Sequence, residues 1–274
     1  MSFSIAGKTA IVTGAARGVG LAIARHMIDR GANVVCADPD EATLAHELGE
    51  EARAEGAVRI YAGNPCEKLG IANLMSATLD AFDRVDILVN AHRAILPSDP
   101  LGVEPDAMEE MLSVNLMTAL RLSQVVARRM IAQSQAAREQ GGEAAEGACG
   151  TIINISSIAA RHAQPDLMAY SVACAAVEQM TRSMAVALAP KRIRVNAIAI
   201  GSVMSASLKT SLKGQSEMRQ DILRHTPLGR IAAPGEVAEA AQFLASDASG
   251  FMTGQVLTVD GGRSLLDPVG VPAH

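Results

Sequence analysis

The chain has 274 residues, 49% of them hydrophobic but only 2% aromatic, with 24 Lys plus Arg against 29 Asp plus Glu for a net charge of -5. That length suits one large α/β domain with an aliphatic core that needs neither disulfide nor metal, and the mild charge gives no reason to expect nucleic acid or an anionic membrane as partner. Cys36, Cys66, Cys149 and Cys174 form no CxxC pair and read as reduced thiols; Met1 to Ala6 lacks a signal-peptide pattern and no apolar run approaches the ~20 residues of a membrane span, so a cytoplasmic protein is expected.

Along the chain, short runs rich in valine and isoleucine alternate with longer segments of helical spacing. The pattern predicts a strand at Thr9 to Val12, a helix at Val19 to Asp29, a strand at Asn33 to Ala37, a helix at Asp40 to Ala54, a strand at Arg59 to Ala62 and a helix at Leu69 to Phe82. It continues with a strand at Ile87 to Val89, helix Asp106 to Met130, strand Thr151 to Ile155, helix Ala169 to Leu188, strand Arg194 to Ile198, helix Pro234 to Ala245 and strand Val256 to Val259. Such alternation makes a parallel sheet covered on both faces, a Rossmann-type doubly wound fold. No repeat or linker divides residues 1–274, so a single domain is expected. Residues 133–148 (QSQAAREQGGEAAEGA) are polar and rich in alanine, glycine and glutamate; they read as a helix extension fraying into a mobile insertion without chemistry. Residues 264–274 read as a C-terminal tail.

The first strand runs into Thr13-Gly14-Ala15-Ala16-Arg17-Gly18-Val19-Gly20. Glycines at a strand-to-helix turn let the backbone approach a ligand closely. The helix that follows offers unpaired amide hydrogens and a partial positive charge to a pyrophosphate. At this point of an α/β pattern the turn marks a dinucleotide site, with Gly14, Arg17, Gly18, Val19 and Gly20 as its contacts. Asp38 stands 18 residues past Gly20, close to the ~20 expected for the carboxylate that accepts the adenosine ribose hydroxyls. It would repel a 2′-phosphate, which favours NAD over NADP. Two alternatives stand beside this reading: Asp38 as the cap of the helix beginning near Asp40, and Arg17 as the partner of a 2′-phosphate.

The same turn resembles the TGxxxGxG motif of the short-chain dehydrogenase/reductase family. Further matches follow in order: Val114-Asn115-Leu116; Asn154-Ile155-Ser156-Ser157; Tyr170, 13 residues after Ser157; Ile193-Arg194-Val195-Asn196-Ala197-Ile198; Phe243 to Asp247; Thr253-Gly254-Gln255; and Val259-Asp260-Gly261-Gly262. They span about Gly7 to Gly262. The resemblance implies sheet order 3-2-1-4-5-6-7 and hydride transfer between a nicotinamide and a small alcohol or ketone. It assigns Tyr170 as acid and base, Ser157 as the hydroxyl that orients the substrate oxygen, and Asn115 as holder of a proton-relaying water. Asn64, Asn90 and Ser205 are implied cofactor contacts. Ser157 is expected just past a strand end and Tyr170 in the first turn of a helix facing the same crevice. The resemblance also implies a homotetramer or homodimer, for which the small residues of the two long helices are suited.

Departures from the family pattern are concentrated at the site. The family has a lysine four residues after the tyrosine, on the same helix face; this chain has Cys174 there, and Ala176 at the wider spacing of enoyl reductases. A unit charge ~4 Å away at an effective dielectric of ~20 is worth about 4 kcal/mol, or about three pKa units. Without it Tyr170 is expected to titrate near ~10. The NNAG motif is replaced by Asn90-Ala91-His92-Arg93, where His92 and Arg93 are a replacement cation, an obstruction, or outward-turned side chains. Asn64 stands for an aspartate, and Ile200 for a proline before Gly201. Arg161 and His162 read either as partners of a substrate acid group or as surface charge. Substrate choice is expected to lie in Ser202 to His225, which has no decodable rule. Two functions fit: an NAD-linked oxidoreductase, or a pseudoenzyme that serves as a structural or regulatory subunit.

Overall fold

The computed structural model describes residues 3–53, 56–102, 107–139 and 148–267. In its first half β1 (Thr9–Thr13), α1 (Gly18–Asp29), β2 (Asn33–Asp38), α2 (Glu41–Arg53), β3 (Val58–Ala62), α3 (Lys68–Phe82) and β4 (Ile87–Asn90) follow one another as expected. The second half holds α4 (Ala107–Met111), α5 (Thr118–Glu139), β5 (Gly150–Ser157), α6 (Met168–Leu188), β6 (Ile193–Ile200), α7 (Ala206–Ser211), α8 (Ser216–Arg224), α9 (Pro234–Ala245) and β7 (Val256–Val259). All seven strands are parallel, in the order β3-β2-β1-β4-β5-β6-β7. This is the order implied by the sequence.

Side chains alternate across the strands and so feed two separate cores. Ala10, Val12, Val34, Ile87 and Ile198 pack with Ile23 and Met27 of α1 and Val237 and Leu244 of α9 on one face. Ile11, Val35, Leu88 and Val195 pack with Leu74 of α3 and Leu122 and Val126 of α5 on the other. Burying one such aliphatic side chain contributes roughly 1.5–3 kcal/mol, so a charge at Ile11 would break the second core outright.

Several boundaries differ from the sequence expectation. Both Ala54, the expected end of α2, and Asp106, the expected start of the fourth helical segment, lie outside the described residues. That segment is interrupted by a π-helical turn at Leu112–Met117, which carries Asn115, and its helix continues past Met130 to Glu139. The continuation is held to the sheet: Gln133 Nε2 donates to Val85 O at 2.6 Å and Gln133 Oε1 accepts from Val85 N at 3.2 Å. The first residues of the anticipated insertion are therefore part of the framework, and 140–147 lie outside the described residues. β5 and β6 each run two residues further than expected because they pair with each other to Ser157↔Ile200. Ser157 is thus the last residue of its strand rather than the residue after it. Ile200, in the place of the family's proline, also pairs with Val259. Helices α7 and α8 lie in the segment expected as an undecodable loop. Of the expected tail, Ser264 to Asp267 are described, and 268–274 are not.

Candidate active site

The glycine turn is shaped by backbone conformations that exclude side chains. Gly14 and Gly18 have φ of 66° and 61°, in the left-handed region that favours glycine. A Cβ on Gly20 would lie 2.1 Å from the Gly14 carbonyl oxygen, and one on Gly14 would lie 2.8 Å from Ala91 O. These contacts bring α1 and the end of β4 against the turn. At Gly18 the nearest atom would be Ser205 Cβ, at 3.7 Å. The turn is therefore tight toward the protein and open toward Ser205, whose own hydroxyl caps α7 by accepting from Leu208 N at 3.3 Å.

Asp38 closes β2, largely buried. Its Oδ2 accepts from Ala16 N at 3.2 Å and its Oδ1 from Asp40 N at 3.0 Å. The cap of α2 is Asp40, not Asp38: Asp40 Oδ1 accepts from Thr43 N at 3.0 Å and Oδ2 from Thr43 Oγ1 at 2.8 Å. Those bonds, with Arg17 beside it, hold the Asp40 carboxyl below its ordinary range. Arg17 itself is ion-paired to Asp40. Asn64 is exposed and holds the turn before α3, its Oδ1 accepting from Cys66 N at 3.0 Å and its Nδ2 donating to Glu67 at 3.0 Å.

Ser157 at the end of β5 and Tyr170 in the first turn of α6 come to one place, as expected. Tyr170 is 4% exposed. Ser157, Cys174 and Arg93 all act on its hydroxyl, and Arg93 Nη1 donates to Tyr170 Oη at 3.4 Å. Burial pushes the phenol up to about 12, and the Arg93 guanidinium pulls it back only in part. This corrects the expected value near ~10: removing the phenolate from water disfavours the charged form, and the sequence did not reveal that burial. Burial raises the Cys174 thiol as well, so it packs as a neutral, inert side chain. Its neighbours include a cavity of about 10 Å³ lined by Asn90, Asn115, Tyr170 and Val177, which is the room of one water molecule.

Of the two substitutions after β4, only one supplies a cation. His92 turns away, its Nδ1 2.7 Å from Thr13 Oγ1, and burial lowers the imidazole to about 4, so it is neutral at physiological pH. Arg93 is exposed and turns inward to the tyrosine. Asn115 steadies the residue after it: Oδ1 accepts from Ala94 N at 2.8 Å and Nδ2 donates to Ala94 O at 2.9 Å. The π-helical turn, a feature frequent at functional sites, aims that amide. Asn90 faces the interior, donating to Asn154 Oδ1 at 2.8 Å and Ser123 Oγ at 3.0 Å. Arg161 is drawn to the buried Glu178 at 3.2 Å, which Arg182 also meets at 3.3 Å, and His162 stands near Asp260. Neither joins the tyrosine. The sequence reading missed the Arg17–Asp40 pair; Thr43 three residues after Asp40, a capping spacing, was its available signal. Among the described residues no cluster of His, Cys, Asp and Glu could hold a metal, and no helix is long and apolar enough to cross a membrane.

A family model described as enoyl-(acyl carrier protein) reductase matches residues 14–264. An uncharacterized oxidoreductase of Mycobacterium tuberculosis is 34% identical over 261 residues, 95% of this chain and 93% of that protein. Among solved structures, a 7α-hydroxysteroid dehydrogenase complexed with NADH and 7-oxo glycochenodeoxycholic acid superposes with a TM-score of 0.84 at 31% identity, covering 95% of each chain. A gluconate 5-dehydrogenase of Burkholderia cenocepacia, in complex with NADP and tartrate, gives a TM-score of 0.84 at 29% identity, covering 97% of this chain and 98% of that one.

Proposed function

The chain belongs to the short-chain dehydrogenase/reductase family, whose members bind nicotinamide cofactors, and from that premise we propose that it is a working NAD(H)-linked oxidoreductase of a small alcohol or ketone in which Arg93 replaces the missing lysine. One observation carries the reading: the Arg93 guanidinium reaches Tyr170 Oη at 3.4 Å. A cation there favours the phenolate as a lysine at 174 would, but water screens the exposed guanidinium, so it offsets only part of the burial that raises the phenol to about 12.

The residues fit a dinucleotide. Gly14 and Gly20 make a turn too tight against the protein for side chains, with Gly18 open toward Ser205 and Val19 beside it at the N-terminus of α1, and helix N-termini favour phosphate. Asp38 accepts one backbone N–H on each oxygen, and each oxygen keeps acceptor capacity for a ribose hydroxyl. The Arg17–Asp40 pair neutralises the one cation of the turn that could welcome a 2′-phosphate, which supports NAD over NADP. Ser205 lies beside Gly18; Asn64 and Asn90 are engaged with their own elements.

When bound, the nicotinamide supplies or accepts the hydride at the substrate carbon. Ser157 donates to the substrate oxygen and fixes its position. Tyr170 gives that oxygen its proton on reduction and takes it back on oxidation. With the phenol raised to about 12, the proton-donating form dominates at neutral pH, so the site is poised for carbonyl reduction. Arg93 stabilises the phenolate left behind. Asn115 holds the backbone beside Arg93 and so positions it.

Calorimetric titration with NADH and NADPH tests this directly: the expected result is NADH binding tighter than NADPH, followed by ketone reduction that Tyr170→Phe abolishes. Failure of both dinucleotides to bind would leave the pseudoenzyme, which Cys174 favours, as the better reading.

A further inference from the structure

Arg93 has more to give than Tyr170 can take. A guanidinium carries five N–H donors in a rigid fork. Among the described residues the hydrogen bond from Nη1 to Tyr170 Oη is the one Arg93 makes, and its side chain stands exposed at the crevice. The other cations near the crevice are already matched. Arg17 pairs with Asp40, and Arg161 and Arg182 share Glu178; His92 is neutral on Thr13. Unlike Arg17, Arg161 and Arg182, Arg93 meets no carboxylate among the described residues. It also stands well away from the adenosine end. Asp38 ends β2 and Arg93 follows β4, two strand positions apart, or roughly 10 Å along the sheet.

A substrate oxygen held by Tyr170 and Ser157 therefore places the substituent on its neighbouring carbon against the unused part of the fork. A neutral alkyl group there offers these donors nothing and leaves them to water. A carboxylate would take them with parallel bonds, the geometry for which arginine is suited and lysine is not. We propose that the substrate is a 2-oxo acid, reduced to the 2-hydroxy acid, with Arg93 reading the carboxylate while its Nη1 stays at the reacting hydroxyl. This rests on the oxidoreductase reading above. The balance is that of the family reaction: the carbonyl carbon gains a hydride from the reduced nicotinamide, which is oxidised. The C=O π pair becomes the O–H bond with the Tyr170 proton, and solvent returns a proton to the tyrosine. The carboxylate is unchanged.

The test compares pyruvate, 2-oxobutyrate and phenylpyruvate, each beside its neutral amide, in NADH-dependent reduction by the unmodified protein, Arg93→Gln and Arg93→Lys. Oxamate binding by calorimetry to the NADH-loaded protein gives a readout independent of turnover. The expected result is a kcat/KM preference for the acids that falls roughly 10–100-fold in Arg93→Gln, as for loss of a charge-assisted pair. It should fall by less in Arg93→Lys, which keeps the charge and loses the fork, and oxamate affinity should fall in the same order. The ratio of acid to amide cancels whatever Arg93 does to Tyr170 for both. Equal turnover of acid and amide by the unmodified protein, or a ratio that survives Arg93→Gln, overturns the carboxylate assignment alone. Absence of dinucleotide binding and of any turnover overturns the oxidoreductase reading with it.

Discussion

Installing the family's lysine at position 174 is expected to harm this protein unless Arg93 is removed as well. Cys174 is 5% exposed and packed with Met111, Ala159, Ala169 and Ala173. The adjoining cavity of about 10 Å³ cannot take a four-carbon chain and an ammonium, and overpacking of this kind costs roughly 1–3 kcal/mol. The ammonium would also meet the Arg93 guanidinium at the same hydroxyl. Two like charges ~4 Å apart at an effective dielectric of ~20 repel by about 4 kcal/mol, less where water screens the exposed guanidinium. Cys174→Lys alone should therefore lose roughly 2–5 kcal/mol. Arg93→Gly should relieve both the crowding and the repulsion, so the double variant should be more stable than the sum of the singles by at least ~1 kcal/mol. Urea melts of the four proteins measure that coupling, and the pH dependence of turnover shows whether the lysine then acts on Tyr170. Were Cys174→Lys alone as stable as the parent and faster at neutral pH, with Arg93→Gly neutral in both respects, Arg93 would not occupy the lysine's place.

Alcohol oxidation should rise with pH without levelling off below about 11, because the phenolate it needs forms only near 12; ketone reduction, which uses the phenol, should stay flat through neutral pH. A plateau in oxidation near pH 8 would show that the tyrosine titrates far lower. Asp40→Ala should release Arg17 and improve NADPH binding by roughly 5–30-fold, the scale of one freed charge-assisted bond, whereas Asp38→Ala should weaken NADH binding; both are read by calorimetry, and no gain for NADPH would mean Arg17 does not face the 2′ position. Gly20→Ala should abolish dinucleotide binding and lower the melting temperature, since its Cβ would sit 2.1 Å from the Gly14 carbonyl oxygen; unchanged binding would show the turn can open. In light scattering the chain should be a dimer or tetramer that Phe251→Asp weakens, because Phe251 and Val186 are exposed; a monomer at micromolar concentration would contradict this.

The alternation of β-branched runs and helical spacing determined every strand of the sheet and six helical segments, because each is a local pattern of which side chains face a core. Chemical constraint made the glycine turn legible too: only glycine tolerates the φ of Gly14 and Gly18 and the contact at Gly20. Boundaries were less legible where partners decide them, as in the extension of β5 and β6 along each other and of α5 through Gln133 to Val85.

Tertiary structure alone decided which side chains meet at the candidate site. Sequence placed Tyr170 and Cys174 on one helix face and left His92 and Arg93 open between replacement cation, obstruction and surface. The choice depended on two side chains 77 residues apart meeting at Tyr170 Oη, on His92 finding Thr13, and on Arg17 being taken by Asp40. Long charged side chains have many rotamers and reach far, so their partners are set by distances between elements rather than by neighbours in the chain. The tyrosine's rise to about 12 has the same origin: water is excluded by side chains from helices and loops that only the folded sheet brings around it.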